Sequence, residues 1–154
     1  MEESLYNLAF ERSVLSSIIF DPAQFDDFDA ILTPEDFYLA AHQEIYRAMV
    51  SLAHRDLPID EEFIRKELTV KQKFDERVMV EILTANPIAN TKAYVQEIKD
   101  KAMKRHLLTL TTEIKRVALE EELSGTDVVD LVEQKLYEIT QSSQATDLDR
   151  KSVV

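Results

Sequence analysis

From Thr91 to Leu123 the chain runs without a proline or a glycine, and its apolar residues recur at helical spacing. No other stretch limits the fold as much. The only glycine of the protein, Gly125, follows it. Glycine takes the left-handed conformation that ends many helices at no steric cost, so the joint is expected there. Thr126 can cap a second helix, with Asp127 placed well against the helix dipole. Residues 91–141 are therefore expected to form two antiparallel helices joined by a tight turn.

The long helix changes its apolar face partway along. At about 100° per residue, Val95, Ile98 and Ala102 form one stripe, which is expected to anchor on a neighbouring domain. Met103, Leu107, Leu110, Ile114 and Val117 form a second stripe, turned from the first. The shorter helix answers with Val129, Val132, Leu136 and Ile139, the pattern of helices packed side by side. Leu108 and Leu119 fall outside this seam. They read either as scattered surface leucines, which need no explanation, or as a second contact surface for another copy or a partner. A two-helix arm with this much apolar surface should self-associate. The interface is expected on Met103, Leu107, Leu110 and Val117 of the first helix, on Val132 and Leu136 of the second, and on Leu119.

Ahead of the hairpin, about five short helices are expected to wrap into a compact head. Asn7 can cap a helix over 7–20, whose inner face of Leu8, Leu15, Ile18 and Ile19 is broken by Glu11. Asp21-Pro22 ends it and starts a second helix carrying Phe25, Phe28, Ile31 and Leu32. Thr33-Pro34-Glu35-Asp36 is the clearest helix start in the chain. Its buried stripe should run from Phe37 through Ala41, Ile45 and Met49 to Leu52. Asp60 caps a helix with Phe63, Ile64 and Leu68, and Phe74 to Ala85 forms the next, with Val78, Ile82 and Ala85 on one face. The fold class is all-α. The expected divisions are a head over 1–88, a hairpin over 89–141 and a linker over 142–154.

Composition agrees with this and removes several kinds of function. One glycine among 154 residues excludes a P-loop and any Gly-x-Gly-x-x-Gly phosphate cradle, so no ATP site is expected in this chain. There is no cysteine for disulfides or thiolate metal sites. The net charge of −12 weighs against a tight grip on nucleic acid. Lys99, Lys101, Lys104, Arg105 and His106 make a basic segment, but no aromatic residues are interleaved for stacking, and it reads as a solvated face paired with nearby acids. His42, His54 and His106 lack metal-ligand spacing, and His42 reads as a polar residue at the core's edge. The acid-rich run Asp26, Asp27 and Asp29 lacks the glycine and closing glutamate of a calcium loop. No catalytic residue, cofactor or metal is expected. No apolar run reaches 18 residues and the chain opens Met1-Glu2-Glu3, so a soluble cytoplasmic protein is expected, with no membrane partner.

Several segments resemble the N-terminal domain of the bacterial replicative DNA helicase family, DnaB. They are Glu11-Arg12-Ser13-Val14-Leu15 with Phe20-Asp21-Pro22, then Leu32-Thr33-Pro34-Glu35-Asp36-Phe37-Tyr38 followed by Ala41-His42-Gln43-Glu44-Ile45-Tyr46-Arg47-Ala48-Met49. Leu57-Pro58-Ile59-Asp60, Ala85-Asn86-Pro87-Ile88-Ala89-Asn90 and Lys101-Ala102-Met103-Lys104-Arg105-His106-Leu107-Leu108 follow in the family's order. Family members often carry glycine where this chain has Ser16 and Asp56, and a glycine-rich stretch near 75–78. The resemblance implies a non-catalytic assembly domain that pairs through its hairpin into a collar and docks the helicase-binding domain of primase. By position it implies docking residues Val78, Leu108 and Ile114. ATP and Mg would belong to a motor domain beyond the linker. The competing expectation is a free-standing helical adaptor unrelated to replication.

Overall fold

The computed structural model describes residues 3–86, 88 and 90–152, with side chains for 4–86, 88 and 90–141. Every regular element among them is helical: α1 (Leu8–Phe20), α2 (Phe25–Asp29), α3 (Ala40–His54), α4 (Glu61–Val70), α5 (Glu76–Leu83), α6 (Thr91–Ala118) and α7 (Gly125–Ser152). The chain divides into two compact units, residues 1–102 and 103–154. The boundary lies inside α6, because Val95 and Ile98 pack into the first unit's core and Ala102 is buried with them. The division expected at 88/89 follows the elements; the structural one follows the packing. The linker expected over 142–154 lies outside the residues whose side chains are described, although the α7 backbone itself passes Gln141, where the sequence reading ended it.

Short-range signals set most helix starts in the first unit. The side chains of Asn7, Asp60 and Asp75 each accept the backbone N–H three residues on, capping α1, α4 and α5. The core gathers Leu15, Ile18, Phe28, Phe37, Met49, Ile64 and Ile82. At its centre Tyr46 lies against Phe37 and Phe25, with ring centroids 5.1 and 5.8 Å apart, and its hydroxyl donates to the Leu32 carbonyl at 3.2 Å. Burial, with the charges of Asp29 and Asp36 adding, pushes that hydroxyl's pKa well above the ordinary tyrosine value.

Two helix ends use the left-handed conformation without glycine. Asp56 has φ 54° and Gln72 has φ 58°. After α3, Leu57 N–H donates to Leu52 O and Asp56 N–H to Ala53 O; after α4, Lys73 N–H donates to Leu68 O and Gln72 N–H to Thr69 O. Both are Schellman closures, which satisfy carbonyls a helix end leaves open.

Three expectations are corrected. The Thr33–Asp36 start makes a single 3-10 turn over Pro34–Asp36, and the chain then extends at Phe37 before α3 begins at Ala40. The cap itself forms, with Thr33 N–H donating to Asp36 Oδ2 at 2.8 Å. The helix stops because Phe37 drives into the core and Tyr38 N–H donates at 2.9 Å to the buried carboxylate of Glu11. His42 is not at the core's edge but wholly enclosed. Gly125, finally, is the first residue of α7 and has no positive φ. Ser124 is the cap: its hydroxyl accepts Asp127 N–H at 3.1 Å while Asp127 Oδ2 accepts Ser124 N–H at 3.1 Å, a reciprocal capping box. α6 ends at Ala118, ahead of Glu120-Glu121-Glu122, whose charges oppose the negative end of a helix dipole.

Candidate partner-binding surface

In the second unit α6 returns as α7 through the turn 119–124. His106, Leu110 and Glu113 of α6 share a cleft of about 190 Å³ with Lys135, Glu138 and Ile139 of α7, so the two helices lie antiparallel. Leu110 and Val117 are buried in the seam, and Met103 and Ile114 are half-buried. From α7 the half-buried residues are Val128, Leu131, Val132, Lys135 and Ile139. This corrects the expected seam, because Val129 and Leu136 are exposed. Val128 and Leu131, outside the expected stripe, are half-buried instead. Lys135 lines the cleft with its stem, as long cationic side chains can.

Two helices make one seam and cannot cover every apolar residue they carry. Leu107 and Leu108 stay exposed on α6, Leu119 and Leu123 in the turn, and Val129, Leu136 and Tyr137 on α7. Val129 and Leu136 are one heptad apart and so share a face. Of the expected interface residues, Leu107, Leu119 and Leu136 are exposed, Leu110 and Val117 are interior, and Met103 and Val132 lie between. Of the expected docking residues, Leu108 is 47% exposed, Ile114 is half-buried and Val78 belongs to the core of the first unit.

The first unit holds a polar cluster that sequence reasoning had not connected. Glu11 is 1% exposed and His42 is 0% exposed, with His42 Nδ1 2.8 Å from Glu11 Oε1. Glu11 Oε2 takes the Tyr38 N–H, so both carboxylate oxygens act as acceptors and one residue ties α1 to α3 and to the segment before it. Asp36 Oδ2, besides its cap, accepts from Lys99 Nζ of α6 at 3.0 Å. The single acid on the otherwise apolar face of α1 was the available signal for this cluster. Sealed from solvent, it offers no route to a substrate and serves as internal scaffolding. Two residues of the basic segment pair within the first unit: Lys99 with Asp36, and Lys101 with Glu97 at 3.3 Å and with the Ser4 carbonyl at 2.8 Å.

The family described as DnaB-like helicase N terminal domain matches residues 3–100. The chain belongs to this family. It is 35% identical over 133 residues to the replicative DNA helicase DnaB of Helicobacter pylori strain J99, an alignment covering 86% of this chain and 27% of that protein. With the DnaB of Geobacillus stearothermophilus the identity is 32% over 136 residues, covering 85% of this chain and 30% of that one. The chain thus spans under a third of the length of these relatives. Among solved structures, the DnaB N-terminal domain from Mycobacterium tuberculosis superposes with a TM-score of 0.76 at 28% identity, covering 86% of this chain and 97% of that one. The DnaB N-terminal domain from Helicobacter pylori, described together with its interactions with primase, gives 0.69 at 35% identity, covering 73% of this chain and 91% of that one. A DnaB-like domain match ending at residue 100 stops inside α6; the longer structural coverage carries the likeness into the α6–α7 hairpin.

Proposed function

We propose that this chain is the non-catalytic N-terminal assembly domain of a replicative DNA helicase. Copies pair through the α6–α7 hairpin to build a collar, and the hairpin also presents a docking face to the helicase-binding domain of primase. One observation carries the reading: in a chain of the DnaB-like N-terminal family, the hairpin leaves Leu107, Leu108, Leu119, Val129 and Leu136 uncovered by its own packing. Large apolar side chains left exposed in this number on two helices and their turn support a contact role for the hairpin. Family membership favours this role over a free-standing adaptor. The primase interaction described for the Helicobacter pylori domain supports the choice of partner. ATP and Mg belong to the motor of the full-length relatives, and neither they nor any other cofactor is assigned to this chain. The net charge of −12 opposes tight DNA binding. Cytoplasmic residence follows from the proposed role.

Sedimentation and titration test it. The chain should self-associate with rising concentration, and a species that stays monomeric throughout overturns the pairing. The chain should also bind the helicase-binding domain of primase. Leu108→Ala should weaken that binding by on the order of 1 kcal/mol while the protein melts almost normally. Unchanged primase binding by the folded variant removes Leu108 from the docking face, and no binding by the parent chain removes the partner.

A further inference from the structure

Between the end of α3 and the outer side of α4 lies a groove of about 360 Å³ that the proposed collar and docking roles leave unused. Leu52, Leu57, Phe63 and Val70 form its apolar lining. Val70, on the last turn of α4, is 79% exposed. Around the lining stand Arg55, Lys66 and Lys71, against a single acid, Glu67. Glu67 is already shared between Arg55 and Lys71, and Lys66 has no ion-pair partner among the described residues. A local excess of cations on a chain of net charge −12 selects for an occupant that is both apolar and acidic.

The chain carries such a segment. The turn after α6 reads Leu119-Glu120-Glu121-Glu122-Leu123, three acids between two leucines. Leu119 is 84% exposed and all three glutamates are exposed. Only Glu120 has an intramolecular ion-pair partner among the described residues, Arg116 at 3.3 Å on the preceding turn.

We propose that the Leu119–Leu123 turn of one copy seats in the α3–α4 groove of a second copy, its leucines against Phe63 and Val70 and its glutamates toward Arg55, Lys66 and Lys71. A turn of this size buries far less than the roughly 1,200–2,000 Å² of a stable interface. The contact therefore acts between copies that hairpin pairing already brings together, and to that extent it rests on the collar reading. Within such a pair the contact is reciprocal: each copy's turn meets the other's groove, so it is made twice and closes on itself.

The absence of cysteine makes the test clean. One full chain carries Val70→Cys and another Glu121→Cys, and the two are mixed in a glutathione redox buffer. Their mixed disulfide should form at least about tenfold faster than that between Glu121→Cys and Val80→Cys, a control at another exposed valine of the first unit, because charge steering raises encounter rates by that order. Adding Lys66→Glu and Lys71→Glu to the Val70→Cys chain, or raising the salt, should remove the advantage. Equal rates for test and control pairs overturn the proposal, as does an advantage indifferent to charge reversal and salt. Sedimentation of the unmodified chain reads hairpin pairing separately. Dimers without selective cross-linking sink the groove contact alone; a chain that stays monomeric sinks the collar reading and, with it, the groove contact that depends on pairing.

Discussion

The two units solve the problem of apolar surface in opposite ways. In residues 1–102 the core is closed: Leu15, Phe37, Tyr46 and Ile82 are shut away, and even the polar groups inside, Glu11, His42 and Asp36, find partners from distant parts of the chain. In the second unit, among the described residues, the seam buries Leu110 and Val117 and leaves more large apolar side chains exposed than buried. A bundle of several elements can surround a side chain; two helices can only cover one side of it. The first unit thus closes its own core, and the second leaves much of its apolar surface uncovered. Elements with few internal contacts are also those that open first.

Cutting equivalent cavities into the two units should break the comparison most clearly. Phe37→Ala removes a ring enclosed on all sides and should cost about 3–5 kcal/mol in denaturant unfolding. Leu110→Ala should fall near the low end of the leucine range, about 2 kcal/mol, because α7 can settle toward the gap. A loss at Leu110 as large as that at Phe37 would mean the hairpin is as tightly enclosed as the head.

Charge gives the next contrast. Glu11→Ala takes the carboxylate from buried His42 and from the Tyr38 N–H, and should cost about 3 kcal/mol. Glu113→Ala, a half-exposed acid of the hairpin, should stay within about 0.5 kcal/mol. Thermal melts of the pair decide it; a mild Glu11→Ala would show the cluster is dispensable.

Glycine placement sharpens the contrast further. The first unit puts Asp56 and Gln72 where glycine belongs, while the second puts its glycine where a side chain would fit. Asp56→Gly should stabilise by up to about 1 kcal/mol by relieving the left-handed backbone. Gly125→Ala should stabilise by about 0.4–1 kcal/mol, since its added methyl meets nothing within 4 Å. Destabilisation by Gly125→Ala would restore the left-handed joint that the sequence suggested.

The smallest effect is acidic. The Arg55 hydrogen bond, working against burial and helped by Ser51 and Lys71, holds Glu67 below its ordinary value. For Glu44, burial pulls upward but Lys73 and Arg47 outweigh it, so it too is lowered. A depressed carboxylate contributes stability above its unfolded value, 4.5, and loses it as pH falls through the folded value. Stability should therefore decline below about pH 4.5, and Glu67→Gln should flatten that decline by no more than about 0.5 kcal/mol, because the pair with Arg55 is solvent-screened. A Glu67→Gln protein with an unaltered acid limb would place the acid sensitivity elsewhere.

Much of the helical order was legible because it is local. Caps at Asn7 and Asp60, the break at Asp21 and the change of face along α6 depend on residues within a turn or two of each other; the cap at Asp75 was missed. The family likeness was legible for the same reason, in short runs such as Thr33 to Tyr38. The seam of the hairpin was only half legible. Its α6 side followed from spacing alone, but the α7 side did not. The face turned only in part: Val132 and Ile139 stay inward, while Val129 and Leu136 are exposed and Val128 and Leu131 half-buried.

By itself, the sequence determined an all-helical chain, the lack of the glycine-rich motifs that cradle phosphate and the anchoring of Val95 and Ile98 outside the hairpin. These depend on periodicity and on which residues are missing. Only the tertiary structure decided the fate of Glu11. One acid on an apolar face has no meaning until folding brings His42 and Tyr38 to it, and once there its desolvation makes the partnership obligatory. The same long-range demand ended the helix expected from Pro34 onward, because burying Phe37 and satisfying Tyr38 outweighed the local preference to continue.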